Sequence, residues 1–145
     1  MTVAMPAPDQ SVLARRDRIV AGLRAIVPGE GVIAAEREMR PYESDGLTAY
    51  RQLPMVVVLP ETTEQVSRVL AFCHAERIKV VPRGAGTSLS GGALPLADGV
   101  LLGMAKFNRI LDIDYENRTV TAQPGVTNLG ITKAVDLPWR FLAPP

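Results

Sequence analysis

The sequence is poor in the residues that build disulfides and metal sites. Its 145 residues contain one cysteine, Cys73, and one histidine, His74. A single cysteine excludes an internal disulfide, and one cysteine with one histidine falls short of the ligands that a zinc site needs. The composition therefore predicts neither a disulfide-stapled scaffold nor a metal centre within this chain.

Long apolar runs and an excess of one charge are also missing. The longest apolar run, residues 53–59, is far shorter than the roughly 20 residues that span a bilayer, and the polar, proline-broken amino end does not have the apolar core of a signal peptide. A net charge of +1 gives no basic footprint for nucleic acid. With 47% hydrophobic residues, we expect a globular, cytoplasmic protein that binds no nucleic acid and carries no transmembrane segment.

A β-α-β unit is the clearest architecture in the sequence. Residues 55–59 form a continuous apolar run typical of a buried strand, and helical spacing follows over residues 63–77, with Thr62 and Gln65 as a capping box. Residues 78–82 then predict a second strand. Because a helix returns the chain to the same end of the sheet, we expect the two strands to be parallel.

The remaining elements complete an α+β fold with a mixed sheet. Upstream, Ser11 is the expected cap of one amphipathic helix. Downstream, residues 100–104, 110–115 and 118–123 read as three strands of a meander beside the β-α-β unit, and a short helix follows over residues 128–136.

Four glycines within nine positions, Gly84, Gly86, Gly91 and Gly92, directly follow the second strand. Such a loop can approach a ligand closely and turn successive N–H groups toward an anion, so phosphate is its natural ligand. A Walker A loop would need lysine where Gly92 stands, and a Rossmann fingerprint would need glycine where Leu89 stands. The residues favour a phosphate loop of another class, with a mobile surface loop as the alternative.

A second turn, Gln123-Pro-Gly-Val126, follows the last predicted strand. Pro124 has no N–H and Gly125 permits unusual dihedral angles. The turn therefore either brings backbone against a cofactor or simply ends the strand.

Three strings of this sequence, residues 57–66, 81–95 and 123–126, carry a resemblance to a known family. Together they resemble the FAD-binding domain of FAD-linked oxidases of the vanillyl-alcohol oxidase and p-cresol methylhydroxylase (PCMH) type, and within that family the D subunits of bacterial glycolate oxidases. The resemblance implies a PCMH-type FAD-binding domain in a flavoprotein that oxidises a 2-hydroxy acid, such as glycolate, to the 2-oxo acid by hydride transfer to the flavin N5.

The resemblance divides the chain into a lead-in, residues 1–52, and the first part of the FAD-binding domain, residues 53–145. The fold is then incomplete at the carboxyl end, and the substrate domain of the family lies beyond it. We expect the chain alone to be inactive, and we assign no catalytic residue and no metal ligand. The available carboxylates are expected to be solvated surface groups: Glu36, Glu38, Asp45 and either Asp112 or Asp114.

The cofactor-binding residues of the family fall on matching positions of this sequence. The diphosphate loop and its flanks correspond to Pro82, read as the strand terminator, and to Arg83, Gly84, Ala85, Gly86, Thr87, Ser88, Leu89, Ser90, Gly91 and Gly92. A second contact region corresponds to Gln123, Pro124 and Gly125, and a third to Pro144. Some relatives attach the flavin through a histidine at the position of Thr87; since threonine cannot form that bond, the resemblance implies noncovalent FAD.

Other functions stay open at this stage. D-lactate and D-2-hydroxyglutarate dehydrogenases belong to the same family, and substrate choice is made outside these residues. A nucleotide-binding module without redox chemistry, or a remnant that binds no ligand, would also have this glycine loop. The resemblance further implies a small-molecule 2-hydroxy acid as substrate and partner subunits of a glycolate oxidase-like complex. Through such subunits a cytoplasmic protein would associate with the membrane.

Overall fold

A computed structural model describes residues 5–135 of the chain. Its helices are α1 (Gln10–Leu13), α2 (Arg16–Ile26), α3 (Glu36–Met39), α4 (Thr63–Ala75) and α5 (Asn128–Val135), with 3-10 turns at Gly29–Gly31 and Arg40–Tyr42. Its strands are β1 (Val32–Ile33), β2 (Val56–Val58), β3 (Lys79–Arg83), β4 (Gly99–Gly103), β5 (Ile110–Asp114) and β6 (Thr119–Ala122). None of these helices has the length and apolar character to cross a bilayer.

The main sheet has four strands in the order β1-β2-β4-β3. Strands β2 and β3 both run parallel to β4, and β1 is antiparallel to β2. The predicted parallel direction of β2 and β3 is confirmed, but β4 lies between them. The predicted three-strand meander is wrong, because only β5 and β6 pair with each other as an antiparallel ribbon.

The burial of β4 explains why it lies at the centre of the sheet. All five of its residues are buried, whereas β5 and β6 have no buried residue. A strand that is apolar on both faces needs a packed layer above and below it, and the middle of a sheet covered on both faces is where such a strand is buried best. The continuous run Val100-Leu-Leu102 was the sequence signal for this position.

Two apolar clusters cover the two faces of the sheet. On one face, Val56, Val58, Val100 and Leu102 pack with the buried sides of α2 and α4. On the other, the intervening strand residues pack with Met39 of α3: Val57, Val81 and Leu101. This alternation follows the two-residue period of a strand, and it fixes the sheet so that its loops emerge from a packed scaffold.

Pro82 lies inside β3 rather than at its end. The strand continues to Arg83, and Pro82 is paired in register with Leu102. The predicted role as strand terminator is therefore wrong. Because β3 is an edge strand of the sheet, the missing N–H of proline costs no ladder hydrogen bond on the open side.

The amino-terminal segment is fastened to the sheet by a buried carboxylate. Asp9, not Ser11, caps α1, since its side chain accepts from the Ser11 N–H at 2.8 Å. The Asp9 N–H donates to Asp98 Oδ2 at 2.8 Å, and Lys79 Nζ donates to the same oxygen at 2.7 Å. Burial raises the pKa of Asp98, but these bonds outweigh it and the pKa lies below its usual value.

Helix α4 begins with the predicted cap. Thr62 Oγ1 accepts from the Gln65 N–H at 3.1 Å, and Gln65 Oε1 accepts from the N–H of Glu61 at 2.7 Å. The return bond thus reaches one residue further back than in the standard capping box. On the inner face of the helix, burial raises the pKa of the Cys73 thiol to about 11.

Candidate functional site

The candidate site lies at the carboxyl edge of the parallel strands. Because β2, β3 and β4 run in the same direction, their carboxyl ends share one edge of the sheet, where open α/β sheets place their ligands. The Met104 N–H, just after β4, donates to the carbonyl of Arg83 at 2.8 Å and joins the ends of the two strands. The glycine-rich loop, residues 84–92, leaves the sheet at this junction.

Two glycines give this loop its shape. Gly86 has φ of +77° and Gly91 has φ of +79°, a region that other residues rarely adopt. Gly84 and Gly92 do not have positive φ, but a Cβ added to either would meet no atom within 4 Å. There is therefore open space in front of the loop backbone.

The loop also presents a row of backbone donors. Within the described part of the chain, none of the N–H groups of residues 84–89 donates a hydrogen bond to a protein acceptor, and the Ser90 N–H donates only to Ser88 Oγ at 3.3 Å. Unused N–H groups beside open space suit a ligand with several acceptor oxygens. The loop residues thus fit the diphosphate of a nucleotide cofactor.

Arg83 supplies positive charge at the base of the loop. Arg83 is 9% exposed, and its Nη1 donates to the carbonyls of Tyr42 at 3.0 Å and Ala93 at 3.4 Å. Its Cζ lies 5.9 Å from the centroid of the Tyr42 ring. Burial lowers the pKa of the guanidinium and the negative charge of Asp45 partly offsets this, but arginine remains charged at neutral pH.

Gly86 lies directly against this guanidinium. A Cβ added to Gly86 would fall 2.5 Å from Arg83 Nε and 2.6 Å from Cζ. The guanidinium therefore packs against the loop backbone at Gly86, and a side chain at that position would displace one of the two. This arrangement places a positive charge beside the N–H groups of the loop that make no hydrogen bond within the described residues.

Asp45 and Gly46 also belong to the site, and the sequence reasoning missed them. Asp45 is 5% exposed, so the prediction of a solvated surface carboxylate is wrong for this residue. Its Oδ1 accepts from the Leu47 N–H at 3.1 Å. The Gly46 N–H donates to the carbonyl of Ser88 at 3.1 Å, which joins this turn to the loop. The only sequence signal was the Asp-Gly pair, which marks a tight turn but not its partner.

The second predicted contact region packs against the segment that follows β4. The Gly125 N–H donates to the carbonyl of Phe107 at 2.7 Å, and the Gln123 N–H donates to that of Arg109 at 2.9 Å. Gly125 does not have positive φ; it is needed because an added Cβ would collide with the Met104 carbonyl and fall 2.6 Å from the Phe107 carbonyl oxygen. The segment 104–109 thus connects this turn to the Arg83 junction.

Other predicted residues have simpler positions. Thr87 and Leu89 are exposed on the loop, Leu89 at 67%, and His74 is exposed on α4. Pro144 lies outside the described residues. Within residues 5–135 no three histidine, cysteine or acidic side chains are grouped in a way that would hold a metal ion.

Comparison with known proteins assigns the family. Residues 54–143, well over half of the chain, match a family described as an FAD binding domain. The chain belongs to this family. FAD is accordingly the cofactor of this FAD binding domain, in agreement with the loop geometry.

Two curated relatives show which flavoproteins this chain is similar to in sequence. It is 54% identical over 120 residues to the glycolate oxidase subunit GlcD of Escherichia coli, covering 83% of this chain and 24% of that protein. It is 41% identical over 103 residues to GlcD of Bacillus subtilis, covering 71% of this chain and 22% of that protein. The chain thus spans about a quarter of the length of these relatives.

A solved structure agrees with this fold. Crystalline p-cresol methylhydroxylase with bound substrate superposes with a TM-score of 0.75 at 25% identity, covering 92% of this chain and 26% of that one. The predicted PCMH-type α+β fold and the resemblance to FAD-linked oxidases are confirmed.

Proposed function

We propose that this chain is the FAD-binding part of a flavoprotein that oxidises a 2-hydroxy acid, such as glycolate, to the 2-oxo acid. The observation that carries the proposal is the set of N–H groups at residues 84–89 that find no acceptor within the described residues, in a loop with open space at Gly84 and Gly92 and the buried cation Arg83 against Gly86. The similarity to two glycolate oxidase subunits supports the substrate class.

The loop residues would hold the diphosphate of FAD. Backbone amides from Gly84 onward would donate to the phosphate oxygens, the hydroxyls of Thr87 and Ser88 would add donors, and Arg83 would add positive charge. Threonine at position 87 lacks the imidazole nitrogen that would form a histidyl–flavin bond, which supports noncovalent binding of the cofactor. The turn Gln123-Pro-Gly125 lies nearer the flavin end.

The chemistry divides between the cofactor and the protein. Bound FAD would supply the acceptor for the hydride that leaves the hydroxyl-bearing carbon of the substrate. The residues of this chain bind and orient the cofactor, and we assign no proton transfer to any of them. Their contribution is to offset the negative charge of the diphosphate and to hold the loop that binds it.

The test uses the extended protein, defined as this chain continued through its downstream reading frame. After purification, its flavin is quantified, and glycolate, D-lactate and D-2-hydroxyglutarate are added separately without oxygen. We expect bleaching of the flavin absorption, fastest with glycolate. An extended protein that binds ADP but no FAD would instead be a nucleotide-binding module, and one that keeps FAD but is reduced by no hydroxy acid would contradict the proposed reaction.

We further propose that the whole protein works on the cytoplasmic side in a complex with partner subunits. The support is that the two similar proteins are each named as a subunit of glycolate oxidase. Affinity purification of the tagged extended protein from its own cells, followed by size measurement, tests this. Co-elution of stoichiometric subunits is expected, and a monodisperse single chain with full activity would contradict the proposal.

A further inference from the structure

The turn at residues 42–47 contacts the glycine-rich loop and the residue that precedes it. The Tyr42 carbonyl accepts from Arg83 Nη1 at 3.0 Å, and the Gly46 N–H donates to the Ser88 carbonyl at 3.1 Å. The two hydrogen bonds connect the turn to both the start and the middle of the loop.

Gly46 lies so close to the loop that no side chain fits between them. A Cβ added there would fall 2.7 Å from the Thr87 carbonyl oxygen and 2.9 Å from its carbonyl carbon. These are backbone atoms, so relief requires the loop and the turn to move apart. Because Gly46 does not have positive φ, alanine at this position suffers the contact with Thr87 and no backbone strain.

Hydrogen bonds within the turn fix its local shape. Asp45 is buried, its Oδ1 accepts from the Leu47 N–H at 3.1 Å, and its carbonyl accepts from the Thr48 N–H at 3.3 Å. A fixed turn against a glycine-rich loop limits the conformations that the loop can adopt. Limiting them before the ligand arrives lowers the entropy that binding must remove.

We propose that the turn at residues 42–47 is a positioning element for FAD, with Gly46 holding the Thr87–Ser88 backbone in the conformation that binds the diphosphate. Gly46 is a positioning residue, since it acts through Thr87 and Ser88. The inference rests on the proposed function. It adds to the predicted cofactor site a segment that lies about 40 positions before the loop in the sequence and that only the fold brings into contact with it.

The test compares Gly46→Ala with Gly31→Ala in the extended protein. Gly31 is a matched steric control, because an added Cβ there would collide with Val27 Cγ1 and fall 3.2 Å from the Leu59 carbonyl oxygen, outside the loop contacts. FAD is removed, and the dissociation constant of re-added FAD is measured by flavin fluorescence together with the melting temperature of the apoprotein. We expect Gly46→Ala to weaken FAD binding by about tenfold or more, whereas Gly31→Ala lowers the melting temperature without changing FAD affinity.

A second measurement uses the wild-type protein and therefore does not require any variant to fold. In the wild-type extended protein, FAD should slow hydrogen exchange at residues 42–47 together with residues 84–92, because an ordered loop keeps the Gly46–Ser88 bond closed. Protection of the loop without protection of residues 42–47, or unchanged FAD affinity in folded Gly46→Ala, would overturn the positioning role. Absence of FAD binding in the wild type would instead refute the proposed function.

Discussion

Replacing Gly86 with valine should remove FAD binding at a cost in stability that the fold can tolerate. A residue with a side chain at φ of +77° costs about 1–2 kcal/mol, and the new Cβ would overlap Arg83 Nε at 2.5 Å. Moving the guanidinium away breaks its 3.0 Å bond to the Tyr42 carbonyl, a charged hydrogen bond worth about 1.5–3 kcal/mol. The sum, on the order of 2.5–5 kcal/mol, lies below the stability of many domains.

Relief of the same overlap by movement of the loop would misalign its amides. We therefore expect FAD affinity of the extended protein to fall by about a hundredfold or more, measured by flavin fluorescence, with the far-ultraviolet circular dichroism retained.

Gly29→Val is the matched control for this variant. Gly29 also has positive φ, at +70°, but an added Cβ would meet no atom within 4 Å. It should show the backbone strain alone, about 1–2 kcal/mol, and bind FAD normally. Unchanged FAD affinity in folded Gly86→Val, or an equal loss in Gly29→Val, would refute the proposed loop geometry.

Three further outcomes test the scaffold of the extended protein. Asp98→Asn should lower the free energy of unfolding at pH 7 by about 1–2 kcal/mol. Because the pKa of Asp98 is depressed in the folded protein, the difference between variant and wild type should vanish as the pH falls through that pKa. A difference that persists in acid would contradict the pairing of Asp98 with Lys79. The Cys73 thiol, with its pKa raised to about 11, should react with a maleimide at pH 8 only after denaturation, so rapid labelling of the native protein would disprove its burial. Thr62→Ala should cost about 1 kcal/mol in urea unfolding through loss of the bond to the Gln65 N–H, and no loss would show that the cap is dispensable.

Local signals predicted the elements of this protein better than their arrangement. The capping pair Thr62 and Gln65 and the apolar runs gave α4, β2 and β3 to within a few residues. The insertion of β4 between β2 and β3 did not follow, because a continuous apolar strand indicates burial on both faces without naming its neighbours. Pairing partners are set by tertiary packing, which single strands do not encode.

The candidate site shows the same division. The glycine loop could be predicted because its conformational demands are local, as the positive φ of Gly86 and Gly91 bears out. The contribution of Gly46 could not, since it arises from contact across the fold with Thr87 and Ser88. The burial of Asp45 near Arg83 likewise depends on the fold. A sequence pattern indicates which local backbone conformations a residue allows, but the contacts that the residue makes with distant segments are seen only in the structure.

The most direct test of the central claim is the release of flavin from the purified extended protein. Acid precipitation is followed by measurement of flavin absorption in the supernatant and in the pellet. Noncovalent binding at a loop with threonine at position 87 predicts FAD in the supernatant, equimolar with the protein, and none in the pellet. Flavin that stays in the pellet, or purified protein that neither contains nor takes up FAD, would contradict the account.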